Sequence, residues 1–413
     1  MRKIPQTVIL AAGKSSRMFP FSDSHKSMIE IAGKPILQYV LEEVKKAGCK
    51  DVVIVVNQKD EDIREYFKNG KDLGLSIKYA VQKNPKGMGN ALLSAKPYIK
   101  DTFFLVNTNH INLSQFFFQL QKAFTVKYDG VLLGSKTKEP SKYGIFKMKG
   151  DKILEIIEKP KKGKEPSHIK VVGLYLLSKS FLPVLQSTPQ AEYQLEHALN
   201  KFFKKKKVRI LLTSKETFSL KYPWDLFKIK EYFLSQMKPF ISPKAEVSPK
   251  AILQGKVIVE KGAKILEGTI IKGPVYIGKN AMVGNHALVR NNTFLEEGVR
   301  IGAMSEIRNS LFMKNATFHS GFVGDSIVGE GTKIGAGFIT ANRRFDRKDI
   351  GTYVKKKKAI TGRISLGTII GKGVAIGIKC GTMPGVMIGA GSIVYPGTMV
   401  CKNTGEGVVI KDK

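Results

Sequence analysis

The sequence predicts an α/β domain with a Rossmann-like parallel sheet, followed by a parallel β-helix of hexapeptide repeats. Two observations lead to this prediction. Apolar segments of strand length alternate with amphipathic helical segments from about residue 7 to residue 240. Beyond that point an aliphatic residue recurs at every sixth position. The domains are therefore expected at 1–228 and 241–413, joined by a linker helix at 229–240.

The first half has the pattern of strands that are buried on both faces. Val8–Ala12 and Val52–Asn57 are apolar along most of their length. Between them, Leu37–Ala47 has the apolar spacing of a helix, and Gly48 ends it. Strand, helix and strand in this order indicate a parallel sheet covered by helices. Tyr222–Met237 is predicted to be a helix that closes this half.

The repeat of the second half is visible at thirteen positions that are all aliphatic or Met: Ile241, Val247, Leu253, Val259, Ile265, Ile271, Ile277, Val283, Val289, Leu295, Ile301, Ile307 and Met313. It resumes from Ile364 to Val400, with Thr382 as the one polar exception. Residues 341–363 break the period and are expected to loop out as an insertion. Because a single unit cannot bury its aliphatic residue alone, stacked coils are predicted to share one inward column.

Composition limits the classes of function. The net charge of +35 favours anionic partners. The lysine runs Lys204–Lys207 and Lys355–Lys358 are typical of a solvated surface, and no nucleic-acid-binding motif accompanies them. The three cysteines lack metal-ligand spacing, so neither a zinc site nor a disulfide framework is predicted. Without a bilayer-spanning apolar run or a recognisable signal peptide, a cytoplasmic protein with no membrane partner is expected.

The turn after the first predicted strand has residues suited to a phosphate. Gly13 and the small Ala11 and Ala12 let backbone amides approach phosphate oxygens. Arg17 can grip such oxygens in a fork, and Lys26 follows at short range. The whole string resembles the signature of sugar-1-phosphate nucleotidyltransferases. Such enzymes join a nucleoside triphosphate to a sugar 1-phosphate and release pyrophosphate.

The resemblance extends through residues 1–240 and implies further site residues. Gln82 and Gly87 match the segment that recognises the base. The residues that match the sugar-phosphate segments are Gly144, Glu158, Lys159 and Gly173. The family also implies a divalent metal, expected to be Mg²⁺, which neutralises the charge that develops on the phosphates.

Several positions depart from the family pattern. Asn109 and Ser219 occupy the positions of the two metal ligands. Met88 and Val171 replace a base-binding Thr and an Asn, while His25 and Ser27 replace two prolines. Neither an amide nor a hydroxyl brings the negative charge that a hard cation prefers. Nucleotidyl transfer is therefore expected to be reduced or absent, in a pocket that still binds a nucleotide or a sugar phosphate.

A second motif lies in the β-helix. His319 begins an H-x-x-x-x-G-D-S string, and G-A-G-x-I-x-x-N with Asn342 and then Lys348 follow it. Together these strings resemble the acetyltransferase half of the bifunctional enzymes that acetylate glucosamine 1-phosphate and then uridylylate the product.

The resemblance implies a left-handed β-helix, with acetyl-CoA as co-substrate. His319 is then the base, and Asn342 and Lys348 hold the sugar phosphate or its amine. Two phosphate contacts and one contact to acetyl-CoA are also implied, at Arg290, Arg308 and Ala336. The family forms trimers, so a homotrimer is expected.

Alternatives stay open for the second half. His319 shares the six-residue frame of Met313, so inward packing is an alternative to catalysis. Phe322 stands where the family has a Tyr, which removes a hydroxyl donor from the site. The alternative function is a non-catalytic regulatory or scaffold subunit that senses a sugar nucleotide.

Overall fold

The structure, a computed structural model, describes residues 5–21, 25–108, 110–354 and 357–411. The chain folds into two compact units. The first unit comprises the chain up to Lys14 together with Pro35–Ser219, and the second combines Ser15–Lys34 with the chain from Leu220 onward. The sequence pattern does not indicate that a short N-terminal segment belongs to the second unit. Among the helices that the structure describes, none has the length and apolarity that a bilayer crossing requires.

The strands before residue 220 are β1 (Gln6–Leu10), β2 (Glu30–Ile31), β3 (Lys34–Pro35), β4 (Asp51–Asn57), β5 (Ser76–Gln82), β6 (Phe103–Asn107), β7 (Gly130–Lys136), β8 (Gly144–Lys149), β9 (Lys152–Glu158), β10 (Ile169–Leu177) and β11 (Val208–Thr213). The helices are α1 (Ile36–Lys46), α2 (Glu61–Phe67), α3 (Met88–Ala95), α4 (Ser114–Ala123), α5 (Phe181–Gln186), α6 (Gln194–Lys205) and α7 (Asp225–Gln236). Short 3₁₀ turns cover Lys26–Met28, Lys71–Leu73, Lys96–Tyr98 and Pro140–Lys142.

The first unit is built on a sheet with the spatial order β11-β7-β10-β6-β1-β4-β5. β1 pairs in parallel with both β4 and β6, and β4 pairs in parallel with β5, as the sequence predicts. β10 instead runs antiparallel between β6 and β7, and it also pairs with β8. The sheet is therefore mixed, and the β8–β9 hairpin extends it from β10.

The apolar patterns of the first half determine how these elements pack. β1 is buried at every position, which agrees with a strand that is covered on both faces. α1 follows Pro35 and buries one side of its surface, including Leu37 and Val40. Gly48 follows with a φ of +83°, a left-handed conformation that favours glycine after a helix end. The predicted helix is thus observed within one residue of its expected start and end.

The second unit contains three parallel sheets. The strands of the first are Phe240–Ile241, Val257–Val259, Val275–Ile277, Thr293–Leu295, Leu311–Phe312, Ile327–Val328, Thr368–Ile370 and Val386–Ile388. Those of the second are Glu246–Val247, Lys264–Ile265, Met282–Val283, Arg300–Ile301, Thr317–Phe318, Lys333–Ile334, Ala375–Ile376, Ile393–Val394 and Val409–Ile410. Those of the third are Ile252–Gln254, Ile270–Lys272, Leu288–Arg290, Glu306–Arg308, Gly321–Gly324, Phe338–Thr340, Gly381–Thr382 and Met399–Val400. The predicted parallel β-helix is confirmed.

Most coils of the β-helix contain 18 residues, as in the pairing of Ile258 with Tyr276. Two consecutive coils are shorter. The coil from Leu311 to Ile327 has 16 residues, and the coil before it, in which Phe294 pairs with Leu311, has 17. The inward column therefore shifts by one position, and Phe312 enters the core in place of Met313. The prediction that Met313 points inward is wrong for this reason.

Two other members of the predicted column lie at ends of the repeat and are also corrected. Ile241 belongs to the first coil and is half exposed, since no coil covers it on one side. Ile364 is likewise exposed because it still belongs to the insertion, and the column resumes at Ile370. The insertion leaves the coils after Thr340 and contains an antiparallel hairpin of Gly351–Val354 and Lys357–Ile360.

The shifted column gives a test of the core. Replacing fully buried Phe312 by Ala leaves a cavity, so we expect the free energy of unfolding to fall by about 3–5 kcal/mol. The adjacent control Met313→Ala changes a half-buried side chain and should cost less than about 1 kcal/mol. Chemical denaturation followed by circular dichroism measures both. A larger loss for Met313→Ala than for Phe312→Ala would contradict the shifted frame.

Candidate functional site

The turn after β1 lies in the first unit. Ala11 and Ala12 are buried, and Ala11 donates its N–H to the carbonyl oxygen of Val55 at 2.8 Å. Gly13 is exposed, and a Cβ at this position would meet no atom within 4 Å. The backbone at Gly13 is thus open to a ligand.

Arg17 and Lys26 lie in the second unit. The Arg17 guanidinium lies 6.0 Å from the ring centre of Tyr222. Lys26 donates from Nζ to the carbonyl oxygen of Leu220 at 3.2 Å. Burial, and after it the charge of Arg17, lower the pKa of Lys26 to about 8. Two cations that repel each other are strongly stabilised when an anion binds to them. This arrangement therefore favours a phosphate.

Lys26 is preceded and followed by the two residues that replace family prolines. His25 and Ser27 are both buried, and the His25 Nδ1 lies 2.6 Å from the Ser27 hydroxyl oxygen. Burial lowers the pKa of His25 to about 3, so its ring is neutral near pH 7. A hydrogen bond thus fixes this turn where the family relies on proline rings.

The residues matched to base recognition meet each other in the first unit. Gln82 is buried and donates from Nε2 to the Gly87 carbonyl oxygen at 3.2 Å and to Asn90 Oδ1 at 2.7 Å. Both of its amide hydrogens are therefore used inside the protein. Gly87 has a φ of +101°, which a side chain at this position would oppose.

The residues matched to the sugar phosphate lie on the β8–β9 hairpin and on β10. Gly144 pairs directly with Glu158. A Cβ at Gly144 would lie 2.1 Å from Glu158 Oε1, so the carboxylate in its present position lies over the glycine. Lys159 donates from Nζ to the Tyr193 hydroxyl at 3.1 Å. Gly173 has a φ of +78° and its backbone approaches the Asn107 side chain.

Asn109 and Ser219 occupy the positions of the two metal ligands in the family. Asn109 lies outside the described residues. Ser219 forms an isolated antiparallel bridge with His110. Across the described ranges, no group of three His, Cys, Asp or Glu side chains could hold a metal ion. A hydroxyl and an amide supply no negative charge, so this donor set does not fit a tightly held Mg²⁺.

His319 lies at a corner of the β-helix, between the strands Thr317–Phe318 and Gly321–Gly324. Its side chain is exposed, whereas Phe318 occupies the inward position. Its backbone N–H donates to the carbonyl oxygen of Ile334 at 3.0 Å. The alternative that His319 packs inward is therefore wrong, because the shorter coil shifts the frame and turns the imidazole outward.

Arg290 and Arg308 are neighbours on the third sheet of the β-helix. Arg290 binds Glu306 through Nε at 3.1 Å and through a terminal nitrogen at 2.7 Å. The buried Nε of Arg308 has no hydrogen-bond partner in the part of the chain that the structure describes. Of the two arginines, only Arg290 is paired with a carboxylate among the described residues, so the half-buried Arg308 guanidinium is the better candidate for a phosphate.

Asn342 ends a chain of hydrogen-bonded polar groups that includes the buried residues Asp325 and Lys230. Its Nδ2 donates to Asp325 Oδ2 at 2.7 Å, and Asn309 Nδ2 donates to Asp325 Oδ1 at 2.6 Å. Lys230 on α7 donates to Asn309 Oδ1 at 2.7 Å and to the carbonyl oxygen of Asn292. The Asn342 amide is therefore held with its nitrogen inward, which leaves its carbonyl oxygen for a ligand.

Sequence reasoning missed Lys230, Asn309 and Asp325. Asp325 lies within the quoted G-D-S string without an assigned role. Lys230 could have been found, because helical spacing from Phe227 to Phe233 puts it on the apolar face of α7. Asn309 carries no such signal, since its partners come from other coils and from α7.

The remaining predicted residues lie apart from this network. Lys348 is in the exposed part of the insertion, where its backbone N–H donates to Asp346 Oδ1 at 3.2 Å. Ala336 is half-buried and accepts from the Lys379 N–H at 2.7 Å. Phe322 lies beside Gly324, where its ring covers the glycine backbone.

Comparison with known proteins identifies relatives over both halves. The nucleotidyl transferase family matches residues 6–226, and the GMPPB C-terminal domain family matches residues 271–376. The bifunctional protein GlmU of Methanococcus maripaludis strain C7 is 38% identical over 94% of this chain and 92% of its own length. The bifunctional sugar-1-phosphate nucleotidylyltransferase/acetyltransferase of Sulfurisphaera tokodaii is 32% identical over 98% of this chain and 99% of its own.

Solved structures match the first half. A UDP-glucose pyrophosphorylase from Acinetobacter baumanii superimposes with a TM-score of 0.50 and 23% identity, covering 57% of this chain and 95% of its own. At this identity the match shows the fold, which is that of a nucleotidyltransferase domain.

Buried Lys230 predicts a pH dependence of stability. Burial lowers its pKa from 10.5 to about 7, so between these values the unfolded chain holds a proton that the folded chain has lost. Stability should therefore rise with pH in this window, by up to about 1.4 kcal/mol per unit from this group. Lys230→Met should flatten that rise, measured by urea denaturation at several pH values. The control Lys228→Met, on the exposed face of α7, should not. An unchanged slope in Lys230→Met would contradict the assignment.

Proposed function

The chain belongs to the family of bifunctional GlmU-type sugar-1-phosphate nucleotidyltransferases and acetyltransferases, and we propose that its β-helix transfers an acetyl group from acetyl-CoA to an amino-sugar 1-phosphate. The main support is the exposed His319, on the β-helix that also carries the half-buried Arg308, whose guanidinium is paired with no carboxylate among the described residues. A base for an ammonium group and a donor for a phosphate are the two groups that this reaction requires.

The proposed reaction uses these residues in turn. The amine nitrogen attacks the thioester carbon, a C–N bond forms, the C–S bond breaks, and coenzyme A leaves as a thiolate that then takes up a proton. His319 accepts the proton that the nitrogen loses. Asn342, held by Asp325 at 2.7 Å, accepts a hydrogen bond from the amino group and orients it. Arg308 and Lys348 bind the phosphate, and Ala336 contacts the thioester end of acetyl-CoA.

The base assignment is tested by substitution. We expect His319→Ala to lower kcat for acetyl transfer by about 10²–10⁴, because the ammonium then lacks a proton acceptor. His286 offers a matched control, since it is also an exposed histidine at a corner of the β-helix. His286→Ala should keep the wild-type rate in an assay of coenzyme A release. A His319→Ala variant with unchanged kcat would remove this residue from the mechanism.

For the nucleotidyltransferase half of the chain, residues 1–228, we propose retained ligand binding with reduced nucleotidyl transfer. The closely spaced cations Arg17 and Lys26 support the binding of a nucleoside triphosphate or a nucleotide sugar. The uncharged side chains at Asn109 and Ser219 support the loss of metal-dependent transfer. This half would then retain the binding of a nucleotide or a sugar phosphate while the β-helix stays active.

Restoring the two carboxylates tests this proposal. The double substitution Asn109→Asp with Ser219→Asp should raise metal-dependent pyrophosphate release by about tenfold or more, because it puts two negative charges at the positions of the family metal ligands. The assay uses UTP, dTTP or GTP with several sugar 1-phosphates, and a chelator should abolish the gain. Brisk metal-dependent turnover by the wild-type chain with any pair would contradict the loss of activity.

The expected homotrimer stays a prediction, and one surface of the β-helix supports it. Outward positions of the third sheet form a column that includes the exposed apolar residues Ile252, Ile339 and Met399 and that is interrupted by Glu306. Exposed apolar columns of this kind are typical of surfaces that bind another protein chain. Second and third copies of the chain are the occupants that the family implies.

A further inference from the structure

Lys230 is a fully buried lysine on α7, a helix that belongs to the same compact unit as the β-helix. Its Nζ lies 5.3 Å from the ring centre of Phe227, which is also buried. An amine in such surroundings costs free energy, whereas a methionine fills a similar volume without this cost. The packing of α7 therefore does not require a lysine, and the role of the amine lies in the groups that it binds.

The amine of Lys230 binds a corner of the β-helix. Its Nζ donates to the carbonyl oxygen of Asn292 and, at 2.7 Å, to Asn309 Oδ1. The next coil places Asp325 at the same corner, where its backbone N–H donates to the carbonyl oxygen of Arg308 at 2.9 Å. Asn309 and Asp325 have φ values of +45° and +50°, so both lie in tight turns that hold their side chains in place. Lys230 thus connects α7 to the stacked corners of the β-helix.

The hydrogen bonds of this network have a fixed direction. Because the lysine donates, the atom of Asn309 that faces it is the oxygen, and the amide nitrogen of Asn309 faces Asp325. That nitrogen donates to Asp325 Oδ1 at 2.6 Å, and the other carboxylate oxygen accepts from Asn342 Nδ2 at 2.7 Å. Lys230 therefore orients Asn309, Asn309 holds the Asp325 carboxylate, and this carboxylate orients the amide of Asn342.

Asn342 depends on this network for its orientation. Its side chain is half-buried, and within the described residues the Asn342 amide has no hydrogen bond other than the one to Asp325. A Cβ at Gly324 would lie 3.0 Å from Asn342 Nδ2, and Gly324 pairs with Arg308 on the neighbouring coil. The oriented amide thus lies close to the arginine that we assign to the phosphate.

Arg363 is a second cation near Asp325, at the end of the insertion. Its guanidinium lies 4.3 Å from the ring centre of Phe227, and its Nε donates to the carbonyl oxygen of Ser365 at 3.3 Å. It forms no ion pair or hydrogen bond with Asp325. Lys230 is therefore the cation that is hydrogen-bonded into the network that ends at Asn342.

We propose that Lys230 is a positioning residue for acetyl transfer, which it supports by keeping the carbonyl oxygen of Asn342 turned toward the amino group of the acceptor. This inference rests on the proposed function of the β-helix. An amino group donates hydrogen bonds, so an amide oxygen binds it and an amide NH₂ group repels it. The preference of the site for an amine thus depends on a helix that precedes the β-helix in the chain.

Lys230→Met tests the role in catalysis. We expect kcat/KM for the amino-sugar 1-phosphate to fall by about tenfold, because the amide of Asn342 is then poorly aligned, while KM for acetyl-CoA stays unchanged. The melting temperature should stay the same or rise, since an apolar side chain replaces a buried amine. Coenzyme A release and thermal unfolding measure the two effects. The control Lys228→Met changes an exposed lysine of the same helix and should alter neither.

Two further variants test whether Lys230 acts through Asn342. In an Asn342→Ala background, Lys230→Met should cause no additional loss, because the residue that it positions is absent. Asn309→Gly interrupts the network at a second point and suits the φ of +45° there, so it should reproduce the loss even if Lys230→Met fails to fold. Wild-type kcat/KM in both Lys230→Met and Asn309→Gly, or an equal loss with and without Asn342, would overturn the inference.

Calorimetry separates this inference from the proposed function. A wild-type chain without acetyl transfer would refute the proposed function, but the affinity for glucosamine 1-phosphate would still report on Asn342. This affinity should fall in Lys230→Met by about tenfold relative to that for glucose 1-phosphate, whose hydroxyl can either donate or accept. Lys230→Met leaves the nucleotidyltransferase half unchanged, so the difference between the two proteins isolates the β-helix. An identical affinity ratio in both proteins would contradict the role of Lys230.

Discussion

A β-helix can bury its inward side chains only if each coil keeps its sides aligned with those of its neighbours. This constraint organises the second unit, because the backbone of one coil supplies the hydrogen-bond partners of the next. Coils of 18 residues satisfy it with an aliphatic residue at every sixth position. Where a coil is shorter, its sides stay aligned with those of its neighbours because a different residue of the repeat points inward. Phe312 and Phe318 then fill the core, and His319 faces outward at a corner.

His319, whose imidazole faces outward, belongs to the same unit as a polar network. The network is unusual because it contains a buried amine, that of Lys230. Lys230 is fully buried, and removing an ammonium group from water is costly unless polar groups surround it. Asn309 and the Asn292 carbonyl oxygen provide such groups, and Asp325 extends the network to Asn342. The network therefore fixes the Asn342 side chain against the β-helix. Asn342 lies at the start of the insertion, where the chain leaves the regular coils.

The sequence could predict the fold because the spacing of apolar residues along the chain reflects the period of the element that they form. Strand-helix alternation indicated the sheet, although not the antiparallel β10, whose apolar pattern is the same in either direction. The six-residue repeat indicated the β-helix, but not the residue at which its frame shifts. Motif matching gave His319, whose neighbourhood only coordinates reveal. The contacts of Asn309 could not be predicted, because they depend on the register between coils and α7, which are distant in sequence.

The assignment of Ser15–Lys34 to the second unit has a practical consequence for dissecting the protein. Cleaving the chain once, at any position, cannot yield both units intact, since the β-helix unit borrows a segment from near the N-terminus. The backbone N–H groups of Ala32 and Gly33 bind the carboxylate of Glu296 at 2.6 and 3.0 Å, so an isolated C-terminal fragment exposes a glutamate that normally has partners. Chimaeras between relatives therefore need three crossover points, after Lys14, Lys34 and Ser219, for every residue to keep the neighbours of its own unit.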